Sequence, residues 1–130
     1  MKLEINETKY IYVDAKSWYS GYPNVKVSEG EVYNFKVNPL LRWSTKWLSY
    51  DANGTVIPFS APSKRRFNKA PYHSLCATID RAEELHFKVG LWLQNFKIKQ
   101  TGELQFFANK PKDLFDRGSG HLVVEIARVK

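Results

Sequence analysis

Short runs of β-branched and aromatic residues, each closed by a turn signal, constrain this chain more than any other feature of it. They fall at Lys9–Val13, Val25–Val27, Val32–Val37, Leu41–Tyr50, Leu75–Ile79, His86–Val89, Leu91–Gln100, Leu104–Ala108 and Leu122–Val129. Val32–Val37 alternates cleanly: Tyr33, Phe35 and Val37 point one way, Val32, Asn34 and Lys36 the other. That period of two predicts a half-buried strand with an aromatic inner face. Asn38-Pro39 and Asp51-Ala52-Asn53-Gly54 are turn signals, because proline fixes φ while Asn and Gly accept positive φ at low cost. Leu41–Tyr50 is ambiguous. Trp43, Trp47 and Tyr50 are spaced by four and three, as on a helix face, but the strand-rich neighbourhood favours a bent strand. Eight or nine short strands with little helix predict an all-β fold, an antiparallel β-sandwich or jelly roll. At 130 residues the chain reads as one domain, 1–130, long enough to bury a core.

Composition narrows the partners. Four Trp, seven Tyr and eight Phe are more rings than a core of this size holds, so some face solvent. A surface ring offers sugars or protein partners a rigid amphipathic face. A net charge of +7 and a pI near 9.5 favour anionic partners. Nucleic acid is still disfavoured. Lys64-Arg65-Arg66-Phe67-Asn68-Lys69 is a single basic cluster, and no RNP-type or KH-type pattern accompanies it. The one cysteine, Cys76, excludes an internal disulfide and reads as a small buried residue of a strand. No run reaches the roughly 18 apolar residues of a membrane span. Met1–Glu7 lacks a signal peptide's apolar centre, so the expectation is a cytoplasmic chain or one exported without a classical signal.

Candidate chemistry gathers near the C-terminus. Gly102–Ile126 reads as strand, polar loop, strand, and such a loop is where a sandwich usually carries its binding groups. Asn109, Asp113, Asp116 and Ser119 offer oxygens to a calcium ion, which takes six to eight. Lys110, Lys112 and Arg117 oppose it, and a plain turn capped by Asp and Ser side chains is the alternative. His121, at the junction of loop and strand, is a further candidate contact. Pro58–Tyr72 carries three prolines and four cations; a stretch of that length is either functional or a solvated insertion. The histidines at 73, 86 and 121 belong to no nucleophile elbow, His-Glu-x-x-His or paired-cysteine zinc pattern, which argues against an enzyme.

A family resemblance runs through these residues. Gly102-Glu103-Leu104, Phe107-Ala108-Asn109, Phe115-Asp116, Ser119-Gly120 and the Leu122–Ile126 strand resemble the closing motif of the bacterial galactophilic lectins of the PA-I type. That motif is written G-x-L-x-x-x-x-N-D-x-P-x-x-Y-x-x-N-x-G-x-x-x-V-x-I. Upstream, Val13-Asp14-Ala15 with Trp18, Val25-Lys26-Val27 with Glu29-Gly30-Glu31, Trp43 with Asn53-Gly54, Ser74–Ile79 and Phe87–Gly90 resemble the family's earlier pieces in the same order.

The resemblance implies a galactose-binding-like β-sandwich whose closing loop holds one calcium, on which a galactoside's hydroxyls bind. Asn109 falls at an acidic or Asn ligand and Phe115 at a Tyr. Arg117 and Gly118 fall where the family has a pair of Asn or Asp-Asn ligands. It therefore implies a lectin-like module with a degenerate calcium motif, Asn109, Asp113 and Asp116 being the remaining metal candidates. The expected ligand is a glycan, an anionic one if Arg65, Arg66 and Arg117 take the metal's part. Asn109, Asp113, Asp116, Arg117, Arg65, Arg66 and His121 form the expected binding set. The alternative is a protein-interaction or structural sandwich, homo-oligomeric or bound to another protein, that has lost calcium-dependent sugar binding.

Overall fold

The computed structural model describes residues 1–45, 48–54, 66–111 and 118–130. Ten strands run through them: β1 (Thr8–Asp14), β2 (Ser20–Val27), β3 (Val32–Val37), β4 (Trp43–Thr45), β5 (Leu48–Tyr50), β6 (Leu75–Ile79), β7 (Phe87–Lys88), β8 (Trp92–Lys97), β9 (Gly102–Ala108) and β10 (Gly118–Arg128). Among the described residues a 3₁₀ turn, Glu83–Leu85, joins β6 to β7. Among the described residues no helix is long and apolar enough to cross a membrane.

All the pairing is antiparallel. β10 lies between β1 and β3, with Tyr10 opposite Glu125 on one side and Phe35 opposite Ile126 on the other. β8 extends this first layer beyond β3. The second layer runs β2-β9-β6-β7. A single pairing, Tyr12 with Tyr22, carries the sheet around the corner from β1 to β2. The inner faces meet at Phe35, whose ring centre lies 6.2 Å from that of Phe106 on β9 and 5.9 Å from that of Phe87 on β7. Around it pack Ile11, Val13, Val124 and Ile126 from one layer, and Val27, Leu75, Ile79 and Leu104 from the other. Burying a ring of this size contributes about 1.5–3 kcal/mol. The predicted alternation of β3 holds: Tyr33, Phe35 and Val37 are buried and Lys36 is exposed. The fold is the expected all-β sandwich.

Two local expectations are corrected. Leu41–Tyr50 is not one bent strand but a hairpin, β4 and β5, with Trp43 opposite Tyr50. The helix-like spacing came from one residue on each arm meeting across the turn; Trp47 lies outside the described residues. Gly118-Ser119-Gly120, read as loop, is the first part of β10 and pairs with Thr45, Ser44 and Trp43 of β4. Gly120 has φ +84°, and a Cβ on it would stand 3.1 Å from the Arg42 carbonyl oxygen. A glycine inside a strand commonly marks such a bend or close approach. Here it lets β10 leave β4 and join β1 and β3.

Both chain ends are fastened at the edge of the sandwich opposite the β9–β10 connection. The Met1 carbonyl accepts the Lys26 N–H at 2.8 Å, and the Lys130 carbonyl accepts the Val32 N–H at 3.1 Å. Arg128 ties them together, donating to the Leu3 carbonyl at 3.0 Å and pairing with Glu31 at 3.0 Å.

Gly54, at φ +66°, closes the predicted Asp51–Gly54 turn, and a Cβ there would run into the Tyr72 carbonyl oxygen and the Ser74 nitrogen. Gly54→Ala is expected to cost about 3 kcal/mol or more, because backbone rather than a flexible side chain must give way. Urea unfolding of the two proteins measures it.

Candidate ligand site at the loop end

β9 ends at Ala108, and the next residue turns its side chain inward. Asn109 is 0% exposed. Its Oδ1 accepts the Phe67 N–H at 2.8 Å, and its Nδ2 donates to the carbonyls of Phe67 (2.9 Å), Ala70 (3.0 Å) and Pro71 (3.1 Å). Its backbone is held too, by the Ser74 carbonyl and the His73 N–H. A primary amide suits this role because it presents an acceptor and donors side by side, as the backbone does. Asn109 thus clasps the end of the cation-bearing segment onto the end of β9. Its side chain serves the 67–71 backbone here, rather than the calcium or sugar for which the sequence nominated it.

Arg66 stands next to this clasp in an aromatic box. Its guanidinium carbon lies 3.6 Å from the ring centre of Trp18, 4.0 Å from Phe107 and 4.6 Å from Tyr19. It also donates to the Trp18 carbonyl. Burial pulls its pKa down to about 10, against the upward pull of Tyr19, so it is a cation at neutral pH. His86 packs 4.8 Å from the Phe107 ring, and burial and the nearby Arg66 push its pKa down. Arg66 was expected in the site. Trp18 and Tyr19, which hold it, were not among the expected binding residues; Trp18 entered only through the family resemblance.

The residue after the clasp was missed as well. Lys110 is only 1% exposed. Its Nζ occupies the space beside Gly118, 2.5 Å from where a Cβ would be, and the Ala15 carbonyl oxygen lies 3.0 Å from the same point. A buried ammonium costs several kcal/mol unless hydrogen bonds and opposite charge offset it. The ring of His73 lies nearby, stacked on Tyr50 at 4.2 Å with an interplanar angle of 3°. The His73 carbonyl accepts from Trp43 Nε1 at 2.9 Å. Burial first, and the Lys110 charge second, lower the His73 pKa to about 4. No local sequence signal distinguishes this lysine from the other cations near it in the sequence; only the fold buries it.

Arg65, Asp113, Asp116 and Arg117 lie outside the described residues. His121 is exposed on the outer face of β10, paired with Asp14 and stacked on Tyr12 at 4.3 Å, so it does not join the inward-facing Asn109. Among the described residues no three His, Cys, Asp or Glu side chains are grouped to hold a metal. An amide committed to backbone and a buried ammonium beside it are the wrong donor set for calcium, which wants several free oxygens. The described residues do not fit the ion that the family resemblance implies.

No family model matches the chain, and no curated protein matches it. Among solved structures it is similar to the N-terminal domain of EclA, a PllA-like lectin, at 18% identity and a TM-score of 0.66, over 93% of this chain and 94% of that one. The chain shares its fold with that domain. That fold is the sandwich that the closing motif implies. At that identity the likeness lies in the backbone, and the side chains at the loop end have to be judged by their own chemistry.

Two measurements test this geometry. Asn109→Asp keeps the acceptor for Phe67 but sets a carboxylate against three carbonyl oxygens. It should cost about 2–4 kcal/mol in denaturant unfolding, with no recovery in calcium. A metal-ligand role predicts the reverse, tighter calcium and a higher melting temperature. His73 titrates at about 4 when folded and about 6.5 when unfolded, so the unfolded chain binds the extra proton between those values. The stability it contributes is complete above about pH 6.5 and falls by about 2–3 kcal/mol as pH drops toward 4. His73→Asn should flatten that part of the stability–pH profile.

Proposed function

We propose that the protein is a non-enzymatic carbohydrate-binding module of lectin type. Its ligand is held at the loop end, by the Asn109–Arg117 connection and the 58–72 segment. The Asn109 clasp carries this reading: four side-chain hydrogen bonds tie the end of β9 to residues 67–71, and both stretches belong to cation-bearing segments of the sequence. An anionic glycan suits such an end. Guanidinium groups of Arg65 and Arg117 would pair with a carboxylate or sulfate, Arg66 would add its charge from the aromatic box, and Asp113 and Asp116 would accept from hydroxyls. Trp18, against Arg66, is 41% exposed and offers a stacking face. Binding of this kind would not require calcium, because guanidinium groups take the part of the metal. The chemistry of Cys76 also speaks for binding rather than catalysis, since burial pushes its thiol up to about 12.

A glycan array carrying neutral and acidic sugars, run with calcium and with a chelator, tests the proposal. Acidic glycans should be retained, the signal should survive chelation, and added salt should weaken it. Retention of neither class would sink the lectin reading. A symmetric oligomer that ignores glycans would favour the interaction domain instead. Loss of binding on chelation would return the site to calcium.

A further inference from the structure

The outer face of the first layer carries a separate pattern. Strand register sets Trp92 beside Lys36, Lys36 beside Glu125, and Glu125 beside Tyr10, one row across β8, β3, β10 and β1. The neighbouring row sets Val123 beside Tyr12 and Tyr12 beside Tyr22. Directly paired residues project to the same face. Their chain neighbours Phe35, Val37, Ile11, Val124 and Ile126 fill the core, so these rows face solvent. Trp92 is 65% exposed, Tyr10 63%, Tyr22 77% and Tyr12 46%. A solvated sheet face is normally polar, and a cluster of exposed rings marks a recognition surface.

A groove of about 370 Å³ opens within these rows. Val123 and Glu125 of β10 form its floor, Tyr10 flanks it on the β1 side, and Lys36, Asn38 and Leu41 flank it on the other. The Tyr10 hydroxyl donates to Glu125 at 3.3 Å and orients the carboxylate. The ion pairs among the described residues are Lys9–Glu7 and Arg128–Glu31, so Lys36 and Glu125 stand opposite each other without closing one.

We infer that this groove is a second carbohydrate site, for a neutral sugar. The occupant follows from where the charges sit. A protein interface places apolar groups at its centre and charged ones at its rim. In the Trp92–Lys36–Glu125–Tyr10 row the two charged residues are central and the rings stand at its ends; of the two rings, Tyr10 lines the groove, together with Lys36 and Glu125. One acid and one base leave no net field to draw an anion, unlike the cationic loop end. A pyranose meets each element: its C–H face stacks on a flat ring, Glu125 accepts from two adjacent hydroxyls, and Lys36 and Asn38 donate to hydroxyl oxygens. Trp92 and Tyr10 are three strand spacings apart, about 14 Å, which leaves room for a short oligosaccharide. The site does not depend on the loop end binding anything.

Nitrogen-15-labelled protein titrated with lactose, cellobiose, maltose and diacetylchitobiose tests it by chemical-shift mapping. At least one should shift amides of β1, β3, β8 and β10 around Tyr10, Lys36 and Glu125. Tyr10→Ala and Glu125→Gln should each weaken that binding at least tenfold. Glu125→Gln preserves shape, so it remains informative if Tyr10→Ala folds poorly. Absence of shifts with all four sugars, or shifts confined to 66–74 and 109–111, would overturn the inference. So would a dimer in sedimentation that Tyr10→Ala dissociates, which would make the face a contact between two copies.

Discussion

The ladder of β10 is the constraint on which the rest of the structure depends. A strand with one neighbour satisfies half of its backbone groups; β10 has β1 along one side and β3 along the other, and begins on β4. Its inward residues Leu122, Val124 and Ile126 are wholly buried, so a register slip of one would turn Val123 and Glu125 into the core. That penalty fixes where β1 and β3 must lie, and with them the rows of the outer face. The bend at Gly120 then sets the direction in which the β4–β5 hairpin leaves the layer, which brings Trp43 and Tyr50 against His73.

At the loop end the organising groups are polar and inward. An apolar side chain at 109 would leave the Phe67 N–H and three carbonyls to find other partners, each a cost of about 1–3 kcal/mol if none is found. Lys110 goes further and places a charge where water is excluded. Such a group contributes little net stability, because desolvation opposes its attractions. Burial first, and the Lys110 charge second, depress the pKa of His73 beside it.

Most of the strands were legible in the sequence because period-two alternation and turn residues are local signals. The core positions of β3, the turn at Asn53-Gly54 and the buried Cys76 follow from those signals alone. The β4–β5 hairpin was not legible, since spacings of four and three across a tight turn imitate a helix face. Gly118 and Gly120 looked like loop because glycine reports conformational freedom and says nothing of whether a strand uses it to bend. The inward hydrogen bonding of Asn109 was not legible, because an amide that binds outward and one that binds backbone look alike in a sequence. Lys110 and Trp18 depend on segments far apart in the chain, so no window around either carries their roles. The outer-face rings were foreseeable in number, as more aromatics than a core can hold, but their rows appear only once the register is known.

The fastening of both chain ends at one edge has a practical meaning. Met1 and Lys130 leave the sandwich on the side away from the β9–β10 connection, tied there through Arg128. A tether at either end would hold the domain like a brush bristle, with the Asn109 end of β9 pointing outward. Copies planted on a surface would present that end in parallel. In that geometry weak single contacts add through effective concentration, by factors of about 10²–10⁴.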